Sequence, residues 1–431
     1  MYAALLQTAA AGALQIPFEQ YQLDNGLQVV LHRDPTLPQV VVNLWYGVGS
    51  KDEEPGRSGF AHLFEHLMFM GTNRVPSGGF DQIMEASGGW NNAWTSEDAT
   101  DYYEVGPSNL LPTLLWLEAD RLDSLGRAMT QEKLDLQRDV VRNERRQSYE
   151  DEPYGQAWLT LSAVMYPEGH PYHEPVIGSH EDLAAATVAD VQRFFSTWYV
   201  PNNASLVVAG DFDPAQVRAL IQQYFGGIPA SPLPAREAPP QPDRPVVALT
   251  ELTDGVQLPQ TLLAWNTAPS MAPGDAEMDL LASILTTGRT SRLYQRLIHD
   301  EGSAQEVSAM QMSQSLGSLF LILAKPAEGH TLEALEAAIT AELARLATEG
   351  PTPAELDRAR NQYEMSFLRK MEALQARASA LNRYLRAFGQ PDGLERDLGR
   401  YRDATVDGVR QAAASLTPER RAIVRVRPET R

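Results

Sequence analysis

The 431-residue sequence predicts an α+β fold made of two copies of one unit joined by a stiff connector. Three observations lead there. β-Branched and aromatic runs of strand length are interspersed with longer amphipathic helical segments. Seven of the seventeen residues from 229 to 245 are proline, an extended linker between residues 1–228 and 246–431. The second part then repeats the first in outline, strands followed by helices.

Taken in order, residues 28–32 (QVVLH) follow the Asp24-Asn25-Gly26 turn, and residues 40–46 (VVVNLWY) are nearly all apolar; both read as strands. A loop rich in Gly, Asp and Glu leads to residues 58–70, SGFAHLFEHLMFM. There Phe60, Leu63, Leu67 and Met70 recur at helical spacing, Ser58 stands as the cap, and Gly71-Thr72 ends the helix. Gly88-Gly89 turns the chain into a strand over residues 90–95. Residues 110–122 and 130–149 are amphipathic helices, 186–199 a further helix, and 204–210 (ASLVVAG) a buried strand. Beyond the linker, strands are expected at 246–250, 260–266 and 316–323, with a helix opening at Thr290. Thr352-Pro353-Ala354-Glu355 is a capping box with proline at the first helical position, opening a helical stretch to about Phe388.

Composition removes several classes of function. A net charge of −20 argues against a nucleic-acid partner, since phosphate contacts need clustered Lys and Arg. It agrees with cationic peptide substrates, or simply with solubility. No stretch approaches the roughly 18 uncharged apolar residues of a membrane span. Residues 1–16 are rich in Ala and Leu without a basic segment, the pattern of a mature or trimmed N-terminus more than an intact signal peptide. An exported, periplasmic setting and a cytoplasmic one both stay open. There is no cysteine, so disulfides, thiolate ligands and a Cys nucleophile are absent, and any zinc must be held by His and carboxylate.

His62, Glu65 and His66 form the pattern H-x-x-E-H. On a helix of 3.6 residues per turn the two histidines lie one above the other on one face. Two imidazoles so placed can close on one zinc ion at Zn–N distances of about 2.0–2.1 Å, with Glu65 beside them as general base for water. Zinc catalysis wants a third protein ligand. The candidates are a carboxylate on a later helix, or His170 and His173 in the loop Gly169-His170-Pro171-Tyr172-His173-Glu174. Spacing alone does not choose between them, although a loop punctuated by Pro and Gly holds ligands less rigidly, and that pair reads as structural or surface.

HLFEHLMFMGT, the preceding GSKDEEPGRSGFA, the block GGWNNAWTSEDATDYYE and VVRNERRQSYEDEPYG together resemble the pitrilysin family of inverted zinc metallopeptidases. The likeness is to its mitochondrial-processing-peptidase branch and the bacterial relatives of that branch. It covers nearly the whole chain, including Trp198-Tyr199-Val200-Pro201-Asn202-Asn203 and Gly210-Asp211. The resemblance implies two homologous α/β-sandwich domains forming one half of a clamshell, and one Zn2+ per chain. By the same resemblance His62 and His66 are metal ligands, Glu65 is the catalytic base, and Glu144, 78 residues beyond His66, is the third ligand. Gln137, two turns before Glu144, stands where relatives often carry a glutamate that supports the site from behind the ligands. Asn92, Ala93, Trp94 and Thr95 resemble the family's edge strand, to which an extended peptide adds itself through backbone pairing.

The chain departs from the family at one place. The second half usually supplies an arginine and, seven residues later, a tyrosine that hold substrate and developing oxyanion. Here Ile298 and Gln305 occupy those positions; the first donates no hydrogen bond and the second is a neutral substitute. The preferred expectation is a homologous partner subunit, in a heterodimer, that carries the Arg/Tyr pair. The alternative is a chain that works alone with a poorer donor such as His299. The functional expectation is a zinc endopeptidase acting on peptides or unfolded segments. A non-catalytic scaffold subunit, or a zinc-loaded peptide-binding protein, is the rival class.

Overall fold

Residues 40–46 carry one polar side chain among seven, the pattern of a strand covered on both faces rather than one. The computed structural model, which describes residues 15–236 and 239–429, sets that strand in the interior of a sheet. All but the last two residues of the apolar start of the chain lie outside the described residues.

The first sheet contains β1 (Glu19–Gln22), β2 (Gln28–Arg33), β3 (Gln39–Tyr46), β4 (Trp90–Thr95), β5 (Thr100–Pro107) and β6 (Ala204–Gly210) in the order β1-β2-β6-β3-β5-β4. β2 and β6 run parallel, and the other neighbours are antiparallel. The second sheet contains β7 (Leu249–Asp254), β8 (Gln260–Thr267), β9 (Ala304–Met312), β10 (Ser318–Pro326) and β11 (Arg421–Pro428) in the order β7-β11-β8-β10-β9. Its parallel pair is β7 with β11. Strands β2 to β6 and β7 to β11 therefore share one topology, with β1 added to the first set. The α+β class built of two like units is what the molecule has.

The alternation of side chains along each strand sorts the first sheet into two faces. Leu31, Val40, Val42, Leu44, Leu206 and Val208 face a helical layer through Leu63, Leu67, Leu114 and Leu122. Val30, Val41, Val207 and Ala209 face the other way, and the helix covering them, Leu374–Phe388, comes from beyond the linker, through Leu374, Ala378, Leu381 and Leu385. The exchange is reciprocal. Helix Gly155–Met165 of the first half lays Ala157, Leu161, Val164 and Met165 on Leu262, Ala264, Leu319, Leu321 and Val424 of the second sheet. Each such Val, Leu or Met side chain contributes about 1.5–3 kcal/mol when fully buried, and each alanine less, so the two halves hold each other's outer sheet faces. Buried Asn382 adds direction, its amide donating to Asn43 Oδ1 at 2.7 Å.

Several local expectations shift. Ser58 does not cap the motif helix, which spans Phe60–Leu67 with Gly59 as its N-cap at φ 84°. The Ser58 hydroxyl donates instead to Asp182 at 2.6 Å, and the free amides of the first turn are met by Glu53, which accepts from Gly59 N at 3.1 Å and Ala61 N at 2.8 Å. Helix Asp275–Thr286 is not expected from the sequence; Ala276, Met278, Leu280, Leu281, Ile284 and Leu285 are buried. Its polar stripe of Asp275, Asp279, Ser283 and Thr286 bonds Arg400, Tyr401, Gln362 and Ala309 N instead of facing solvent. The helix expected to open at Thr290 is present from Arg292, and over Tyr294–Asp300 it widens to π-helical pitch. The long stretch after the capping box divides into Pro353–Met371 and Leu374–Phe388, so that its second part can cross to the first sheet.

Candidate metal centre

The motif helix presents Leu63, Phe64 and Leu67 to the core, and this leaves His62, Glu65 and His66 on the half-buried side. It packs beside helix Gln131–Arg145, whose Leu134 and Val141 are buried in the same core. Glu144 follows Val141 by three residues and so comes round to face the two histidines. Its Oε2 stands 3.2 Å from His66 Nε2 and its Oε1 3.7 Å from His62 Nε2. One ligand atom from each of His62, His66 and Glu144 can be chosen with all three within 4.8 Å of one another. Ligands of a tetrahedral zinc with bonds near 2.0–2.1 Å are separated by about 3.3 Å, so the set fits one such ion with little rearrangement. No other group of three His, Asp or Glu among the described residues meets this test.

Electrostatics favour the same use. Burial, opposed by the nearby Glu144 charge, brings the His62 imidazole down to about 4, so its lone pair is free at neutral pH. The hydrogen bond from His66, opposed by burial, holds the Glu144 carboxyl below the ordinary range. Burial pushes the Glu65 carboxyl up, partly offset by the hydroxyl of Thr95, which donates to Glu65 Oε2 at 2.6 Å. One Glu65 oxygen is thereby pinned and the other left for proton transfer. Glu65 and His66 line a cleft of about 230 Å³ with Phe69, Asp81, Asn91, Asn92 and Ala93.

Strand β4 lies at the edge of the first sheet, paired only with β5 among the described residues, and carries Asn92, Ala93, Trp94 and Thr95 past this cleft. Asn92 is exposed, Ala93 and Thr95 are half-buried, and Trp94 packs edge-on against Trp45 at 5.0 Å. Gln137 turns to Met70, its amide donating to the sulfur at 2.7 Å, and makes no hydrogen bond to the three clustered residues. His170 stacks on Tyr166 at 4.5 Å and His173 Nδ1 contacts the Tyr166 carbonyl at 2.9 Å, so this pair braces its loop and stays outside the cluster. Ile298 packs half-buried on the second core, while Gln305 is exposed at the start of β9, beside a cleft with Pro153, Tyr154 and Lys325. His299 is exposed and paired with Asp300 at 2.8 Å.

Two contributions were not legible in sequence. Thr95 belongs to the edge-strand block, yet its hydroxyl serves Glu65; the only signal was a Thr at the end of that block. Glu53 secures the start of the motif helix, and nothing distinguishes it from Glu54 until the loop is folded.

Comparison with known proteins gives a consistent result. Residues 28–171 match the family model described as insulinase, peptidase family M16, and residues 185–363 that of the peptidase M16 inactive domain. The chain is 30% identical over 361 residues to the zinc protease PqqE of Helicobacter pylori, covering 82% of this chain and 80% of that protein. The crystal structure of a protease from Helicobacter pylori superposes with a TM-score of 0.89 at 28% identity, over 96% of this chain and 100% of that one. The periplasmic protease PqqL from Escherichia coli shares the fold, with a TM-score of 0.77 at 20% identity, over 96% of this chain but 48% of that longer chain.

Proposed function

The chain belongs to peptidase family M16, and from that premise we propose that it is a zinc-dependent endopeptidase acting on peptides or unfolded segments, with one Zn2+ on His62, His66 and Glu144. The observation that carries this reading is the convergence of those three ligand atoms beside a Glu65 already oriented by Thr95. Zinc bound there supplies Lewis-acid activation of water and of the scissile carbonyl. Glu65 takes the proton from the attacking water on its free oxygen and returns it to the leaving amine. Strand β4 aligns the substrate by adding it as a further strand along its outer edge at residues 92–95, where the Ala93 amide, now donating to Asn92 Oδ1 at 2.8 Å, turns to the substrate instead. Gln137 supports the site only indirectly, through Met70 and the packing of the two helices.

The reading includes a homologous partner subunit that supplies the Arg/Tyr pair. Ile298 and Gln305 support it, as does PqqL, which holds about twice this length in one chain. Residues 1–228 then form the metal-bearing domain and 246–431 the homologous domain without that pair, joined by the 229–245 linker. A periplasmic setting accords with the PqqL relative, and no helix among the described residues is long and apolar enough to cross a membrane.

The test is zinc content together with cleavage of internally quenched peptides, by the chain alone and mixed with a homologue carrying Arg and Tyr. One zinc per chain is expected, with strong cleavage only in the mixture; full activity alone would remove the partner from the reading. Glu65→Gln is expected to keep its zinc and lose turnover by about 1,000-fold or more. The peptide-binding alternative, favoured by Ile298 and Gln305 alone, predicts saturable peptide binding and no cleavage in either sample.

A further inference from the structure

The two sheets meet at equivalent hairpins. The tip between β4 and β5, residues 96–99, touches the tip between β9 and β10, residues 313–317. At that contact sits Asp98, which satisfies four donors at once. Lys51 Nζ lies 2.8 Å from its Oδ1, and the Tyr172 hydroxyl donates to the same oxygen at 2.7 Å. From the second half, Ser315 N donates to Oδ2 at 2.8 Å, and the Ser315 hydroxyl donates to Oδ1. Lys51 also reaches Ser315 Oγ at 3.0 Å, and Leu316 N donates to the Tyr172 hydroxyl at 2.9 Å.

The same tip is gripped from the motif-helix side. Ser50 N and Lys51 N donate to the carbonyls of Ser96 and Glu97 at 3.2 and 3.1 Å. The approach is so close that a Cβ on Gly49 would lie 2.4 Å from both carbonyl oxygens, which only glycine permits. Asp98 is three residues from Thr95, and Thr95 holds Glu65. Burial alone would raise the Asp98 carboxyl, but Lys51 and the hydroxyls of Ser315 and Tyr172 hold it below the usual range, so it remains an ionised acceptor.

We propose that Asp98 is a positioning residue that fastens the β4–β5 hairpin to the second half, so that the second half fixes where β4 and Thr95 stand relative to Glu65. This rests on the peptidase reading for its consequence in turnover, but not for the coupling itself. Nothing in the metal set requires the second half. The second half instead acts on the site through one carboxylate and the hairpin behind it. Because a charged acceptor with four donors is stronger than a neutral contact, its loss is felt along the short strand attached to it.

The experiment is hydrogen-exchange mass spectrometry of the full chain, with steady-state kinetics of the same samples mixed with the homologue. The variants are Asp98→Ala, Tyr172→Phe and Ser315→Ala; the tyrosine change removes only a hydroxyl and protects the test against simple misfolding. The expected result is exchange about tenfold faster in peptides covering residues 90–95, no change in β2 and β6, and unchanged zinc content. In kinetics kcat falls about tenfold in Asp98→Ala and less in the two single-hydroxyl variants, with KM raised as β4 loosens. Unaltered exchange in 90–95 for Asp98→Ala would overturn the proposal, as would an equal rise across both sheets, which is the mark of a general structural role. If wild type cleaves nothing while exchange in 90–95 responds as expected, the peptidase reading fails and the coupling stands.

Discussion

In the proposed mechanism Glu65 acts as the base because one of its oxygens is committed and the other is not. The Thr95 hydroxyl is the committed partner at 2.6 Å, so Thr95→Val, of equal shape, leaves Glu65 free to rotate. Turnover is expected to fall about tenfold with zinc content unchanged, measured by kcat and metal analysis on one preparation. Unchanged kcat would remove Thr95 from the positioning of the base. A second carboxylate gives a prediction about stability. Burial, with the charge of Asp275 close by, pushes Asp279 up to about 6, and the Tyr401 hydroxyl donates to it at 2.7 Å. An acid raised in the folded state costs stability where it is ionised. The penalty is full above about pH 6 and disappears as pH falls toward 4, so Asp279→Asn is expected to raise the unfolding free energy at pH 7.5 by on the order of 2 kcal/mol. At pH 4.5 the gain shrinks toward zero; thermal unfolding at the two pH values measures the difference.

At the scale of elements, helix starts decide more than helix interiors. The motif helix begins at Gly59 in a left-handed conformation, and a Cβ there would lie 2.8 Å from the Ile177 carbonyl, so the entry angle that aims His62 depends on glycine. The helix Pro353–Met371 begins with the capping box of Thr352 and Glu355, and Arg292 grips the same carboxylate at 2.7 and 2.9 Å. That hydrogen bonding draws Glu355 down to about 2. A depressed acid stabilises above its unfolded value near 4.5, and the contribution drains away as pH falls from there through 2. Glu355→Gln is therefore expected to cost about 1 kcal/mol at pH 7 and nothing near pH 2, read from denaturant midpoints at both ends. An equal loss at both would assign the effect to packing.

At the scale of the molecule, each half covers the other's sheet with one helix, so neither half is a self-sufficient unit. Residues 1–245 produced alone leave Val30, Val41, Val207 and Ala209 without Leu374, Ala378, Leu381 and Leu385. That fragment is expected to aggregate or bind an apolar dye, and co-expression with residues 246–431 to restore a soluble complex. A well-folded isolated fragment with sharp thermal unfolding would contradict the exchange as a source of stability. The Asp98 contact has the same character: a feature of the first half becomes fixed only against the second.

What the sequence by itself determined is what short range dictates. Helical spacing sets His62, Glu65 and His66 on one side, nearly unbroken apolar runs make residues 40–46 and 204–210 interior strands, and the proline run separates two like units. The motif blocks added Glu144, which spacing alone would have left among the many charges of its helix. Tertiary structure decided everything that depends on distant pieces of chain meeting. It turned Glu144 toward the histidines at 3.2 and 3.7 Å, directed Gln137 to Met70, and gave Thr95 to Glu65. It also sent each half's helix across to the other's sheet, because an apolar strand announces that both faces are covered but not by what. Local periodicity is written in neighbouring residues, whereas the choice among possible covers is settled only by the packing of the whole chain.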